Sequence, residues 1–204
     1  MIGLLIALIS VFGWLIWTNA FYQVKEGFAM IRSGLGGQKV YFRGSFLAYP
    51  IVHQVTKISI SEQRVLVNQT GAFSVRAKDH IRINIQLTFW VQIKHTSWDV
   101  LKAAQMIDQE EASFKDMLQN SFEPKLKEAI TQVVKTFDYQ ELYEQQERFK
   151  MGLIQYLDED LGSYQLNRIN VVEFKHLPLD AYDVDYDVLD AKGYQNLKKI
   201  LNQP

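Results

Sequence analysis

An uninterrupted apolar stretch opens the chain. No charged side chain precedes Lys25, and residues 2–22 are almost entirely aliphatic, aromatic or small. At about 1.5 Å per helical residue, a stretch of this length spans about 30 Å, the thickness of a bilayer's hydrocarbon core. The pattern predicts a transmembrane anchor within residues 1–24. Its membrane-spanning side chains are expected to be Ile2, Leu4, Leu5, Leu8, Phe12, Trp14, Leu15, Trp17 and Phe21.

A cleaved signal peptide is the alternative interpretation of this stretch. Such a peptide begins with a basic region and ends in small residues, whereas here no basic residue comes first and the end is aromatic. Basic residues flank an anchor on its cytoplasmic side, and they occur here only after the apolar stretch, at Lys25, Arg32, Lys39 and Arg43. We therefore expect an uncleaved single-pass anchor with residues 25–204 in the cytoplasm.

Strand patterns follow the anchor. A glycine-rich turn at residues 34–37 separates two short β-type stretches, 28–33 and 39–43, and predicts a hairpin. From Ile81 to Ile93, apolar side chains occupy every second position. This alternation predicts a strand with one buried face and one wet face.

Helical periodicity replaces the alternation after about residue 96. Thr96 or Ser97 is expected to cap a short helix, and Asp138 to open another that runs to Leu157 and closes near Gly162. Between them, apolar residues recur every four positions, and Pro124 is expected to kink this helix or start a new one. The recurring residues are Phe114, Leu118, Phe122, Leu126, Ile130 and Val134.

A last strand at residues 166–175 gives the order β, then α, then β, which predicts an α+β fold. The stretch 177–190 that follows is acidic and expected to be extended. Asp190 is then expected to cap a helix running to Leu201. Since so short a helix is marginal in water, we expect it to be ordered only against a neighbouring subunit or a continued coiled coil.

Composition narrows the function classes. The 22 Lys and Arg balance 23 Asp and Glu, which argues against a nucleic-acid partner. The absence of cysteine excludes disulfides, thiolate metal sites and Cys nucleophiles. Asp183, Asp185 and Asp187 resemble the start of a calcium loop, but Val188 and Tyr194 stand where glycine and glutamate are required. We therefore predict no catalytic residue, no metal site and no cofactor.

A second apolar cluster lies about 20 residues beyond the anchor. Pro50 keeps it out of a central strand, so it is either part of the core or a loop at the membrane interface. The second interpretation also explains the neighbouring arginine, which would meet anionic lipid. The expected interface residues are Phe46, Leu47, Tyr49, Ile51, Val52 and Arg43.

Several short strings identify a family when they are taken together and in order. They are Ile31–Val40 with its Arg-x-Gly-x-Gly-Gly-x-Lys-Val core, Tyr49–His53, Lys78–Asp79, Ala103–Gln105, Leu142–Phe149 and Asp190–Gly193. The chain resembles the stomatin/prohibitin/flotillin/HflK-C (SPFH, Band 7) superfamily, and within it the bacterial flotillins of the YqiK type. Two departures, Arg43 and Ala77, stand where that pattern often has glycine and threonine.

The resemblance implies a non-enzymatic scaffold in the bacterial inner membrane. Such proteins contact lipid, form homo-oligomers such as rings or cages, and organise a membrane microdomain with its client membrane proteins. The alternative is an accessory regulator of a membrane protease, as prohibitin and HflK-C relatives are. The implied organisation is an anchor at 1–24, a β-rich subdomain at 25–79, an α+β subdomain at 80–178, and a linker with the start of a coiled-coil helix at 179–204.

Overall fold

The computed structural model describes residues 20–107, 114–157 and 161–202. The predicted anchor therefore lies almost wholly outside the described residues, including Ile2 through Trp17. Among the helices that the structure does describe, none is long and apolar enough to cross a membrane. The chain divides into two compact units: residues 1–61 with 93–111, and residues 62–92 with 112–204.

The first unit is built from short antiparallel strands. Strand β1 (Phe21–Gln23) pairs with β4 (Ser45–Leu47). Strand β2 (Phe28–Gly34) pairs with both β3 (Lys39–Tyr41) and β5 (His53–Ser59), which confirms the predicted hairpin.

The same unit contains helix α1 (Ser97–Ile107). Its cap is Thr96, whose Oγ1 accepts a hydrogen bond from the Asp99 amide at 3.1 Å. One of the two expected capping residues is thereby identified.

The predicted anchor is wrong at its C-terminal end. It was expected to continue through Tyr22, but Phe21 and Tyr22 belong to β1, where they face Leu47 and Phe46 of β4. Pairing with β4 satisfies backbone groups that a helix would have bonded internally. Stacking of the Tyr22 and Phe46 rings, 5.7 Å apart, adds a side-chain contact.

Strand β8 (Arg82–Ile93) organises the second unit. It pairs with β6 (Gln63–Gln69), β7 (Val75–Arg76) and β9 (Tyr164–His176). Its alternation is confirmed, because every odd-numbered residue from 83 to 93 is buried, although Thr88 on the other face is buried as well. Pairing with β6 and β7 places residues 62–79 in this unit, whereas the sequence predicted a boundary after residue 79.

Helices α2 (Phe114–Val134), α3 (Tyr139–Glu144) and α4 (Gln146–Leu157) complete most of the second unit. The predicted stripe of α2 is buried from Leu118 to Val134, and Pro124 lies inside a single helix. The Asp138 capping box is present, but the helix that it opens is broken at Gln145. The mixed helix and strand content agrees with the predicted α+β fold.

The C-terminal helix α5 (Val188–Leu201) is capped by Asp187, not by Asp190 as expected. Asp190 lies in the first turn, only 2% exposed, with its Oδ1 2.7 Å from Arg76 Nη2. Leu197 is fully buried too. The expectation that this helix needs a neighbouring subunit is therefore wrong, because it packs on its own chain. Short 3-10 turns occur at Gly71–Phe73 and Leu179–Ala181.

Candidate membrane-docking surface

Two short strands of the first unit expose apolar side chains on one face. Phe21 of β1 lies directly opposite Leu47 of β4, and the two are 61% and 38% exposed. Partners in an antiparallel pair project from the same face of the sheet. They therefore form one apolar patch at the point where the uncharged N-terminal stretch joins the first unit.

Phe46 does not belong to this patch, and its predicted role at the membrane interface is wrong. Successive side chains of a strand point to opposite faces, so Phe46 faces away from Leu47. It is 8% exposed and stacks on Tyr41 and Tyr22, with ring centroids 4.0 and 5.7 Å away. The core interpretation is correct for this residue alone.

The loop after β4 also exposes apolar side chains. It carries Tyr49, Ile51 and Val52, which are 40%, 79% and 43% exposed. The amides of Val52 and His53 both donate to the Tyr49 carbonyl, at 3.1 and 2.9 Å, so the loop is a tight turn. A compact turn can hold apolar side chains in solvent without collapsing onto the core.

The β2–β3 turn adds Leu35, a residue that the sequence analysis missed. Leu35 is 74% exposed, and its amide donates to the Val52 carbonyl at 3.1 Å. This approach requires Gly34, because its φ is +119° and a Cβ there would lie 2.1 Å from the Val52 oxygen. A leucine between glycines in a hairpin turn was the available signal.

We name these six residues the docking surface: Phe21, Leu35, Leu47, Tyr49, Ile51 and Val52. The stretch that carries them, residues 20–61, contains five basic side chains against one acidic, a net charge of +4. Two of the basic side chains are placed by the structure: Arg43 is exposed, and Arg32 Nη1 donates to the Leu47 carbonyl at 3.3 Å. Exposed apolar side chains carried by a stretch of net positive charge match the chemistry of an anionic membrane interface.

The acidic string at residues 183–187 has a structural role. Asp187 caps α5 and pairs with Arg76. The hydrogen bond from Arg76 is the main cause that lowers the pKa of Asp187. Within the described part of the chain, no group of three or more His and acidic side chains is placed to hold a metal ion.

Two of the open clefts among the described residues lie in different units. One, of about 630 Å³, lies between α2 and α4 and is lined by Val133, Phe137, Arg148 and Met151 among others. The other, of about 320 Å³, lies beside the docking surface between Ser33 and Gln54.

Comparison with known proteins agrees with this architecture. The chain is 25% identical to the flotillin family inner membrane protein YqiK of Escherichia coli over 185 residues, covering 90% of this chain and 33% of that protein. It is 26% identical to the flotillin family inner membrane protein sll1021 of Synechocystis over 185 residues, covering 87% of this chain and 27% of that protein. The chain thus spans a third or less of these relatives. The SPFH domain / Band 7 family model matches residues 22–182, so the chain belongs to that family.

Proposed function

We propose that the protein is a flotillin-like membrane scaffold, which oligomerises on the cytoplasmic face of the bacterial inner membrane and organises a microdomain there. Family membership and the names of the two relatives support a membrane-associated role. The observation that carries the proposal is the docking surface, because an exposed apolar face in a stretch of net positive charge fits the interface of an anionic leaflet.

Two contacts would hold the first unit against the leaflet. The first is the predicted single-pass anchor, whose apolar stretch reaches Ala20. The second is the docking surface. Its residue Phe21 directly follows that stretch in the sequence, and Leu47 lies opposite Phe21 in the strand pair. Basic residues near an anionic leaflet add about 1 kcal/mol each, so Arg43 strengthens the second contact. Two linked contacts reduce the rotational freedom of the body, which favours lateral association of copies.

The proposed role is non-enzymatic, and it needs no cofactor. The partners that we propose are membrane lipids, further copies of this chain in a ring or cage, and client membrane proteins. Nucleic acid is not among them, because the chain's net charge is only -1.

Imaging and mass measurement of the full-length chain, extracted in mild detergent, test the scaffold role. We expect assemblies of many copies without a stoichiometric second protein. A protein that is uniformly monomeric at its native concentration in the membrane would contradict the scaffold role. Stoichiometric co-purification with a protease would instead support the accessory-regulator alternative.

A reporter fused after Pro204 should behave as cytoplasmic, because the basic residues follow the anchor. Protease access to the body from outside intact cells would contradict that orientation.

A further inference from the structure

His53 joins the two loops that carry most of the docking surface. Its Nδ1 accepts a hydrogen bond from the Tyr49 amide at 3.1 Å, and its Nε2 lies 3.0 Å from the Leu35 carbonyl oxygen. A backbone amide can only donate and a carbonyl can only accept. Nδ1 must therefore be unprotonated and Nε2 must carry the hydrogen, so only one neutral tautomer satisfies both bonds.

This arrangement determines where the apolar side chains lie. The imidazole ties the loop at Tyr49 to the turn at Leu35, and the amide of Leu35 ties the turn back to Val52. These bonds hold Leu35 beside Ile51 and Val52. A proton on Nδ1 would face the Tyr49 amide hydrogen, so one of the bonds would be lost and two donors would oppose each other.

In the described part of the chain, the segments that the His53 ring contacts through Tyr49 and Leu35 carry no anionic side chain. The segments 35–38 and 48–52 carry no charged side chain. The charged side chains of β2, β3 and β5 are Arg32, Lys39 and Lys57, all cationic. Among the described residues, the Tyr49 phenol is a titratable group that faces the ring, with ring centroids 6.2 Å apart. None of the ion pairs found among the described residues includes His53.

We propose that His53 is a positioning residue for membrane contact. As a neutral ring it holds Leu35, Ile51 and Val52 together as one lipid-facing surface, and protonation of the ring releases the loop from the bilayer. The inference rests on the proposed function, because it assumes that this surface docks on lipid. It adds a regulatory property: contact with the membrane weakens as the pH falls.

The test uses the full-length chain reconstituted in vesicles of phosphatidylcholine and phosphatidylglycerol. Since the chain has no cysteine, Ile51→Cys carries a single environment-sensitive fluorophore. Quenching by nitroxide lipids is compared with quenching by aqueous iodide at pH about 7.5 and about 5.5, the range over which imidazoles change charge. We expect the ratio of lipid to aqueous quenching to fall about fivefold in acid, the factor that corresponds to one hydrogen bond of about 1 kcal/mol.

Two variants separate His53 from other effects of pH. His53→Asn keeps an acceptor for the Tyr49 amide, loses the bond to the Leu35 carbonyl and cannot titrate, so its quenching ratio should be lower than that of the parent at pH about 7.5 and equal at both pH values. His95→Asn, in the same unit, should keep the pH dependence of the parent. Nitrogen chemical shifts of the His53 ring should show an unprotonated Nδ1 at neutral pH.

The outcomes distinguish failure of the docking surface from failure of the proposed role of His53. Absence of lipid quenching at Ile51 at neutral pH would contradict the docking surface itself. Lipid quenching that is equal at both pH values would overturn the role of His53 and leave docking intact. A pH effect that persists in His53→Asn would overturn it as well.

Discussion

Phe21 and Leu47 face each other across the β1–β4 pair, and both side chains remain exposed. The two residues are far apart in the sequence but form one apolar patch, and Phe21 directly follows the apolar N-terminal stretch. Their neighbours Tyr22 and Phe46 form the opposite face of the same two strands, and those rings stack. One short pair of strands therefore separates a core face from a docking face.

Neighbouring substitutions in β4 should differ sharply in their effect on stability. Phe46→Ser removes a buried ring between two tyrosines and should lower the free energy of unfolding by about 3 kcal/mol. Leu47→Ser alters an exposed side chain and should change it by less than about 1 kcal/mol. Thermal or denaturant unfolding measures both. Equal losses would show that the two faces of β4 have been assigned wrongly.

Gly34→Ala should loosen the docking surface through a steric conflict. The new Cβ would meet the Val52 carbonyl oxygen, and the backbone there has a φ of +119°. Gly36 offers a matched control, because its φ is +90° but no described residue has an atom within 4 Å of the position that a Cβ would take there. The strained backbone should cost both variants about 1 kcal/mol of stability. Only Gly34→Ala should also increase amide exchange at Leu35, whose hydrogen bond to Val52 would be displaced; equal exchange in both variants would count against this contact.

The sequence could predict the elements with strong local signals. The alternation of β8, the stripe of α2 and the Asp138 capping box each depend on neighbouring residues, and each is present. The apolar cluster after Arg43 was also recognisable. The sequence did not show which residues of the cluster face solvent. That depends on the pairing of β4 with β1, a contact between residues that are distant in the sequence.

The packing of α5 had no local signal at all. Arg76 and Asp190 are separated by 114 positions, and their ion pair forms only when β7 and α5 come together. The same holds for Gly193, where a Cβ would lie 2.2 Å from the His80 carbonyl oxygen. Helix length and propensity alone therefore led to the wrong expectation of a helix that needs a partner.

Asp190→Ala should release α5 from the second unit. The carboxylate is almost fully buried against Arg76 and Arg82, so its removal leaves two cations without their shared partner. Losses of about 3 to 5 kcal/mol are typical when one member of a buried pair is removed. Amide exchange along α5 should rise together with the fall in stability. Asp185→Ala, at an exposed position nearby, is the control and should change neither quantity.

Acid should remove the contribution of Asp187 to stability. The pKa of Asp187 is lowered in the folded protein, mainly by the hydrogen bond from Arg76. Its contribution to stability is therefore present at pH values above the pKa of Asp187 in the unfolded chain, and it is lost as the pH falls through the lower pKa of the folded protein. Asp187→Asn retains a good helix cap and removes the charge. The variant should be less stable than the parent at neutral pH, and the difference should shrink towards low pH. A difference that stays constant with pH would contradict this assignment.

Tyr164 carries a buried hydroxyl for which the described residues provide no hydrogen-bond partner. Burial raises its pKa to about 12. Tyr164→Phe should keep the edge-to-face contact with Phe122, whose ring lies 4.9 Å away, and remove the unsatisfied group. We expect unchanged or higher stability, by up to about 1 kcal/mol. A clearly lower free energy of unfolding in Tyr164→Phe would contradict this expectation, because it would show that the hydroxyl makes a stabilising hydrogen bond.

Vesicle binding by a chain that begins at Ala20 tests the docking surface most directly. This chain lacks the predicted anchor but keeps β1, and Leu47→Ser with Ile51→Ser is compared with the matched pair Leu66→Ser and Val172→Ser in the second unit. We predict sedimentation of the parent and of the matched pair with anionic vesicles, weaker at high salt, and none by the docking-surface variant at an unchanged melting temperature. A folded parent chain that stays in solution with anionic vesicles at low salt would contradict membrane docking by this surface.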